Sequence, residues 1–225
     1  MSSDAPSDPY PLVKSLDSTS SDAEIKQCAT ILVEAFKGDP FSSVLLGGDL
    51  SLAPTEFDAQ LRATLIGGAV HALALGPLVE DLVGVALWYP PGKSVFSSAE
   101  ERAAGWDQFM DSVPASLKAW WTDYFGPTMG KMSSDALGPD YSLKAWHLHI
   151  FGVHPAHQGK GYGRVLFEFA EQQAKETHSN IVLETTTDVD VKIYTRLGFH
   201  ICGGTEVKSD FGNTHVRLMI KENLS

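Results

Sequence analysis

The sequence has few cysteines, no excess of positive charge and no long apolar run, and each shortage excludes a class of protein. Its 225 residues include two cysteines, Cys28 and Cys202, which lack both the even multiplicity of a disulfide scaffold and metal-ligand spacing. We therefore expect reduced, structural thiols and no metal site. Lys and Arg total 17 against 28 Asp and Glu, a net charge of −11. This balance disfavours nucleic acid as a partner, because binding phosphate backbones requires a basic surface.

No segment reaches the length of a membrane span, and the N-terminus lacks the apolar core of a signal peptide. We therefore expect a cytoplasmic protein without a membrane partner. The length and the 43% hydrophobic content fit one sizeable core. Residues 1–9, rich in Ser, Asp and Pro, predict a disordered tail, and residues 10–225 predict a single domain. The oligomeric state is left open, with a homodimer as one option.

Hydrophobic periodicity predicts a mixed α/β fold. Strands are expected over residues 10–16, 145–153, 180–186, 199–208 and 214–221, with a tight hairpin leading into an apolar strand over 78–90. Helices are expected over residues 22–36, 54–75, 161–177 and 188–197. Between them, residues 93–142 predict a helical insertion rich in aromatic residues. Two roles for these aromatics stay open: attaching the insertion to the core, or lining a substrate pocket.

Residues 154–170, HPAHQGKGYGRVLFEFA, place three alternate glycines before an amphipathic helix. Glycines at these positions let the backbone pass close to a ligand, and the amides of residues 159–164 would point along the helix axis toward an anion. Lys160 and Arg164 would add positive charge. Neither the Walker spacing nor the dinucleotide-binding spacing fits, because the order here is Q-G-K-G-Y-G. The pattern predicts a site for a pyrophosphate.

This segment resembles the GNAT superfamily of acetyl-CoA-dependent N-acetyltransferases. The family signature is a strand ending in Val-x-Pro, followed by Gln or Arg-x-x-Gly-x-Gly or Ala at the start of a helix. The matching residues are Val153, Pro155, Gln158, Gly161 and Gly163.

Two further segments carry the resemblance. Residues 181–199, IVLETTTDVDVKIYTRLGF, are similar to the next strand of the superfamily and to the helix ending Tyr-x-x-x-Gly-Phe. Residues 86–92, ALWYPPG, resemble a segment of fungal and puromycin-acetyltransferase-like members. The insertion has no counterpart in the minimal fold.

The resemblance implies a GNAT fold: a central, mostly antiparallel sheet with one splayed parallel strand pair, and helices on both faces. It also implies acetyl-CoA as the acetyl donor. The implied donor-binding residues are Phe151, Gly152, Val153, Gln158, Gly159, Lys160, Gly161, Tyr162, Gly163, Arg164, Asp190 and Tyr194. Asp190 stands where related sequences often carry Asn, and an ionised Asp cannot donate the hydrogen bond that Asn would.

Acyl transfer from a thioester to an amine needs a proton acceptor for the amine and a proton donor for the departing thiolate. By resemblance, Tyr194 is the donor. His147 and His149 alternate along a strand, so both would face one region, and an imidazole pKa near 6.5 suits a base. Their spacing resembles the two-histidine segment of arylalkylamine N-acetyltransferases. Glu184, on the neighbouring strand, is the alternative base.

Together these features predict N-acetylation of a primary amine, a small molecule, by direct attack on acetyl-CoA. Alternatives are a non-catalytic acyl-CoA-binding regulatory module, a protein or peptide N-acetyltransferase, and a nucleotide-binding protein of another kind.

Overall fold

Strand-forming segments of the chain pair into one mixed sheet. The computed structural model describes residues 10–223, so the tail predicted for residues 1–9 lies outside the described residues. The strands are β1 (Leu12–Leu16), β2 (Ala69–Ala74), β3 (Leu82–Tyr89), β4 (Trp146–Val153), β5 (Ile181–Thr185), β6 (His200–Ser209) and β7 (Gly212–Lys221). Their order across the sheet is β1-β2-β3-β4-β5-β7-β6, and of these pairings β4 with β5 is parallel. The predicted mostly antiparallel sheet with one parallel pair is confirmed.

Helices cover both faces of the sheet. They are α1 (Asp22–Ala35), α2 (Pro40–Leu45), α3 (Ala53–Gly67), α4 (Ala99–Glu101), α5 (Asp107–Ser112), α6 (Ala115–Ala119), α7 (Gly126–Leu137), α8 (Tyr162–Glu176) and α9 (Asp188–Arg196). One core cluster packs Leu32 of α1 and Leu61 of α3 on one side of the sheet, which we call the α3 face. A second cluster packs Leu166 on the opposite side, which we call the α8 face. Within residues 10–223, no helix combines the length and apolarity needed to cross a membrane.

The first helix forms as its sequence predicts. Ser21 caps α1 in a reciprocal capping box: its hydroxyl accepts from the Glu24 amide, and the Glu24 carboxylate accepts from the Ser21 amide. The apolar side chains of Ile25, Cys28 and Leu32 then recur at helical spacing and are buried on the α3 face.

The helix predicted over residues 54–75 is wrong in its second half. The chain forms α3 only as far as Gly67, and Gly68 leaves the helical conformation with φ −128° and ψ −147°. Residues 69–74 are β2, which is buried along nearly its whole length. A strand buried on both faces lacks the polar–apolar alternation that identifies a half-exposed strand, so its sequence resembles a buried helix.

The hairpin predicted within residues 78–90 is displaced for the same reason. Its first strand is β2, and its second is β3. A 3₁₀ turn at Val79–Asp81 occupies the position predicted for the hairpin's first arm. The predicted apolar strand that follows is β3 itself.

The parallel pair is short and leaves an opening in the sheet. β4 and β5 pair over three positions, ending at Leu148 opposite Leu183. Beyond these residues β4 continues alongside β3 as far as Val153, while β5 continues alongside β7. We call the opening the β4/β5 gap. A register shift between β3 and β4 leaves His149 without a partner on β3, which is a β-bulge beside the gap.

The helices between β3 and β4, residues 99–137, fall inside the predicted insertion and extend across the α3 face. Near their start, Trp106 and Phe109 pack against Ala59 of α3. Near their end, Met132 of α7 packs against Leu218 of β7. On the α3 face the insertion therefore contacts both α3 and β7.

Aromatic side chains attach the insertion to the core through hydrogen bonds as well as packing. Trp120 Nε1 donates to the Lys208 carbonyl at 2.8 Å, and Trp121 Nε1 donates to the Leu45 carbonyl at 2.8 Å. The Tyr124 hydroxyl accepts from the Lys208 amide at 2.9 Å. These contacts favour attachment over pocket lining as the role of the three side chains.

Candidate active site

Two histidines on β4 lie side by side on the α3 face. The ring centroids of His147 and His149 are 5.8 Å apart. His147 Nε2 is 2.7 Å from Glu184 Oε2 on β5, and His149 Nε2 is 2.8 Å from Gln60 Oε1 on α3. Three residues predicted as alternative bases are thus brought together, and strand alternation turns Glu184 toward the histidines.

The charges of these groups are coupled. Burial alone would lower the pKa of His147, but the charge of Glu184 and its hydrogen bond outweigh burial, and the pKa of His147 is raised. Burial would likewise raise the pKa of Glu184, whereas the charge and hydrogen bond of His147 hold it below its usual value. His149 has no such carboxylate partner, and burial together with the charge of His147 lowers its pKa to about 3. His147 and Glu184 therefore form an ion pair beside a neutral His149.

Backbone groups of β4 line the β4/β5 gap. The His154 amide donates to the Val83 carbonyl of β3 at 2.8 Å. Because successive strand residues direct their backbone groups to opposite neighbours, the amides of Phe151 and Val153 point toward the gap. The Gln158 side chain donates to the Val153 carbonyl at 2.9 Å, which ties the following turn to the end of the strand.

The glycine-rich turn begins α8 with a bare backbone. Gly159 and Gly161 have φ of +74° and +85°, the left-handed region that favours glycine, and a Cβ at either would meet nothing within 4 Å. Among the described residues no side chain caps α8 at Gly161. Lys160 and Arg164 are exposed on the same turn. This is the arrangement in which a helix N-terminus receives an anion.

Known proteins match the segment that holds these groups. Residues 128–201, which include the histidines, the gap and the glycine turn, match the model of the acetyltransferase (GNAT) domain family. An N-acetyltransferase of Schizosaccharomyces pombe, described as uncharacterized, is 25% identical over 204 residues, which span 88% of this chain and 80% of the relative. The chain belongs to the GNAT superfamily. It is an acyltransferase of the GNAT type.

Solved GNAT structures share the fold over nearly the whole chain. A Corynebacterium glutamicum protein, described as histone acetyltransferase HPA2 and related acetyltransferase, has a TM-score of 0.60 at 20% identity, over 95% of this chain and 97% of that one. Arylalkylamine N-acetyltransferase 2 from Aedes aegypti has a TM-score of 0.58 at 15% identity, over 94% and 99%. At these identities the likeness establishes the GNAT fold.

Tyr194, the proton donor predicted from the GNAT resemblance, lies on α9. It is half-buried, and its ring is 5.7 Å from that of Phe199 in an edge contact. Burial and the nearby charge of Asp190 raise its pKa, which keeps the phenol protonated. Tyr194 packs with the α8-face cluster, whereas the histidines lie on the α3 face.

Other predicted donor-binding residues have structural contacts of their own. The Asp190 carboxylate accepts from the Thr187 hydroxyl at 2.6 Å, and the Asp190 amide donates to the same hydroxyl. Thr187 is thus the N-cap of α9. Gly152 lets α1 approach β4, since a Cβ there would lie 3.0 Å from Leu32. Gly163 lets α8 approach β4 in the same way, since its Cβ would lie 3.4 Å from the ring of Phe151. Tyr162 is half-buried as the first residue of α8.

Sequence reasoning missed the contribution of α3. Glu56, Gln60 and Thr64 recur every fourth residue, each is at most 5% exposed, and Gln60 reaches His149. The available signal was this polar row beside the apolar residues Phe57 and Leu61 of the same helix. Polar side chains on a buried helix face require partners.

Proposed function

We propose that the protein transfers an acetyl group from acetyl-CoA to a small primary amine. The observation that carries the proposal is the His147–Glu184 pair with His149 beside a gap in the sheet. One end of β4 supplies proton-accepting groups, and the other end leads into an anion-binding turn.

The donor would lie along β4. The bare amides of the α8 N-terminus, with Lys160 and Arg164, suit the pyrophosphate of coenzyme A. The amides of Phe151 and Val153 would hold the pantetheine arm, and the Val153 amide would polarise the thioester carbonyl. Such a donor needs no covalent enzyme intermediate.

The reaction would be direct attack. His147 in its neutral form takes a proton from the substrate ammonium, and the amine nitrogen then attacks the thioester carbon. Collapse of the tetrahedral intermediate would break the carbon–sulfur bond, and Tyr194 would give its proton to the departing thiolate. The nitrogen would release its remaining extra proton, which returns through solvent to the Tyr194 phenolate. The raised pKa of His147 suits a base that operates near neutral pH, whereas a pKa of about 3 makes His149 a weak base.

The surroundings favour a small cationic acceptor. Glu184 places a carboxylate beside the two histidines, 2.7 Å from His147 Nε2. When His147 is neutral, the Glu184 carboxylate leaves the site with a net negative charge, which is suited to receiving an ammonium. The insertion packs against both α3 and β7 on the face that carries the two histidines. This packing favours a narrow entrance to the site over an open groove that could admit a protein. The amines named for the Aedes aegypti neighbour, arylalkylamines, are the first class to test.

The first test is calorimetric titration with acetyl-CoA, followed by thiol release with arylalkylamines, aliphatic diamines and a peptide. We expect binding and amine-dependent release. Tyr194→Phe should keep the affinity for acetyl-CoA and lower kcat about 100-fold, because it removes a general acid. Tyr124→Phe, on the insertion, is the matched control and should keep kcat. Binding without release for every amine would favour a regulatory acyl-CoA-binding module, and absence of binding would contradict the proposal.

The pH profile gives the same test a second arm. Because the pKa of His147 is raised, its proton is lost above the usual pH, and the acid limb of kcat should lie above pH 6.5. Glu184→Gln removes the charge that raises this pKa, so the limb should move to lower pH. An unmoved limb would exclude the His147–Glu184 pair as the base.

A further inference from the structure

A row of polar side chains faces the sheet from α3. Glu56, Gln60 and Thr64 are 5%, 4% and 0% exposed, and successive members are one helical turn apart. Buried polar groups cost free energy unless they are hydrogen-bonded. The hydrogen-bond partners of these three side chains therefore indicate which residue the row positions.

The row forms a connected chain of hydrogen bonds that ends on a candidate catalytic residue. Gln60 Nε2 donates to Glu56 Oε1 at 2.8 Å, and Gln60 Oε1 is 2.8 Å from His149 Nε2. The Thr64 hydroxyl donates to the Gln60 carbonyl at 2.8 Å and is 3.2 Å from the Tyr89 hydroxyl. The Tyr89 ring lies edge-on to His149, with centroids 5.7 Å apart. His149 is thus held by a hydrogen bond and by packing.

The chemistry of these groups determines which atom donates and which accepts in each hydrogen bond of the row. An ionised carboxylate can only accept hydrogen bonds, so above the pKa of about 7 to which burial raises Glu56, this residue turns the amide nitrogen of Gln60 toward itself. The amide oxygen of Gln60 must then face His149. An oxygen can only accept, so the proton of neutral His149 resides on Nε2, and the lone pair resides on Nδ1.

We infer that Glu56 and Gln60 are positioning residues that set the tautomer of His149 so that its Nδ1 accepts a hydrogen bond from the acceptor amine. This role rests on the proposed function, in which the amine loses its proton to His147. His147 is oriented in the same manner, because Glu184 holds its Nε2. Each imidazole is held at Nε2 by a different element, α3 for His149 and β5 for His147.

The test reads the tautomer directly, by ¹⁵N NMR of the imidazole nitrogens in protein labelled on histidine. At pH 8, where Glu56 is ionised, the wild type should show His149 with its proton on Nε2. In Glu56→Gln the new amide can donate as well as accept, so Gln60 can turn over and donate to His149 Nε2. A population with the proton on Nδ1 should therefore appear. We expect kcat to fall about tenfold, with a smaller change in KM for acetyl-CoA.

Exchanging the two side chains supplies the rescue. In the double variant Glu56→Gln/Gln60→Glu, the carboxylate at position 60 can only accept, so Nε2 of His149 again carries the proton, and the neutral tautomer is read above the His149 pKa that this carboxylate raises. The tautomer should revert and kcat should recover at least in part. Glu80→Gln, an exposed residue outside this chain of bonds, is the matched control and should change neither quantity.

Two results would overturn the inference: an unchanged tautomer in Glu56→Gln, or a double variant that restores the tautomer without raising kcat above that of Glu56→Gln. A folded spectrum from the double variant excludes general loss of structure as the explanation. If the wild type acetylates no amine, the proposed function and the catalytic use of Nδ1 both fail. The NMR measurement then still decides whether Glu56 and Gln60 orient His149, so the two failures are distinguishable.

Discussion

Buried ionisable residues in this protein differ in whether they have a charged partner. Glu184 and His147 have each other, and their pKa values move apart in the directions that favour an ion pair. His71 on β2 is 2% exposed, its Nδ1 has no hydrogen-bond partner within the described residues, and its ring lies edge-on to Phe169. Burial lowers the pKa of His71 to about 4. A group of this kind makes folding depend on pH.

We predict that His71 limits stability in acid. In the unfolded chain His71 binds a proton near pH 6.5, whereas in the folded chain it does so only near pH 4. The contribution of His71 to the free energy of unfolding is therefore complete above pH 6.5 and is lost as the pH falls toward 4. The loss from this residue should reach about 3 kcal/mol. Denaturant unfolding of His71→Leu should lack this component, while His200→Leu, at an exposed site, should retain it. Equal acid sensitivity of the wild type and His71→Leu would contradict the prediction.

Glycines in two helical elements perform different tasks. Gly161 precedes α8 with φ +85°, whereas Gly130 lies inside α7 with ordinary helical geometry, and a Cβ at either would meet nothing within 4 Å. Space is therefore equal at the two sites, and only the backbone conformation differs. Alanine is strained at a positive φ and stabilises the interior of a helix.

Substituting both glycines separates backbone conformation from bulk. Gly161→Ala should weaken binding of acetyl-CoA at least tenfold, because relaxing the turn misdirects the amides proposed to hold the pyrophosphate. Binding of S-acetylpantetheine, which has no pyrophosphate, should be nearly unchanged. Gly130→Ala should raise stability by about 0.5–1 kcal/mol and leave both affinities unchanged. Equal losses for the two donors in Gly161→Ala would argue against a phosphate-binding turn.

How far the sequence predicts an element depends on the range of the contacts that define it. The α8 turn and the start of α1 were predictable, because capping and positive φ are decided within a few residues. β2 was not, because burial on both faces removes its alternation. The Gln60–His149 contact joins residues 89 positions apart, so only the tertiary structure reveals it. The histidine pair was predictable as a pair, whereas its hydrogen-bond partners were not.

At the scale of the whole molecule, the α3 face is enclosed from two directions. The insertion packs Trp106 against Ala59 of α3 and Met132 against Leu218 of β7. Leu218 is the cross-strand partner of Glu184. The residues proposed for deprotonation thus lie between two parts of one insertion. The position of the insertion therefore affects both the size of acceptor that can enter and the geometry of the site.

The buried carboxylate of Glu56 implies a conflict between robustness and activity. Burial raises the pKa of Glu56 to about 7, so its stabilising contribution is complete below pH 4.5 and is lost as pH rises through 7. Glu56→Gln should therefore raise the free energy of unfolding by roughly 3 kcal/mol at pH 8 and change it little at pH 4, as measured by denaturant titration. Equal effects at both pH values would contradict this. A laboratory selection for heat resistance alone, run at alkaline pH, would therefore enrich Glu56→Gln. The selected variants would be acyltransferases with higher thermal stability and lower kcat than the wild type.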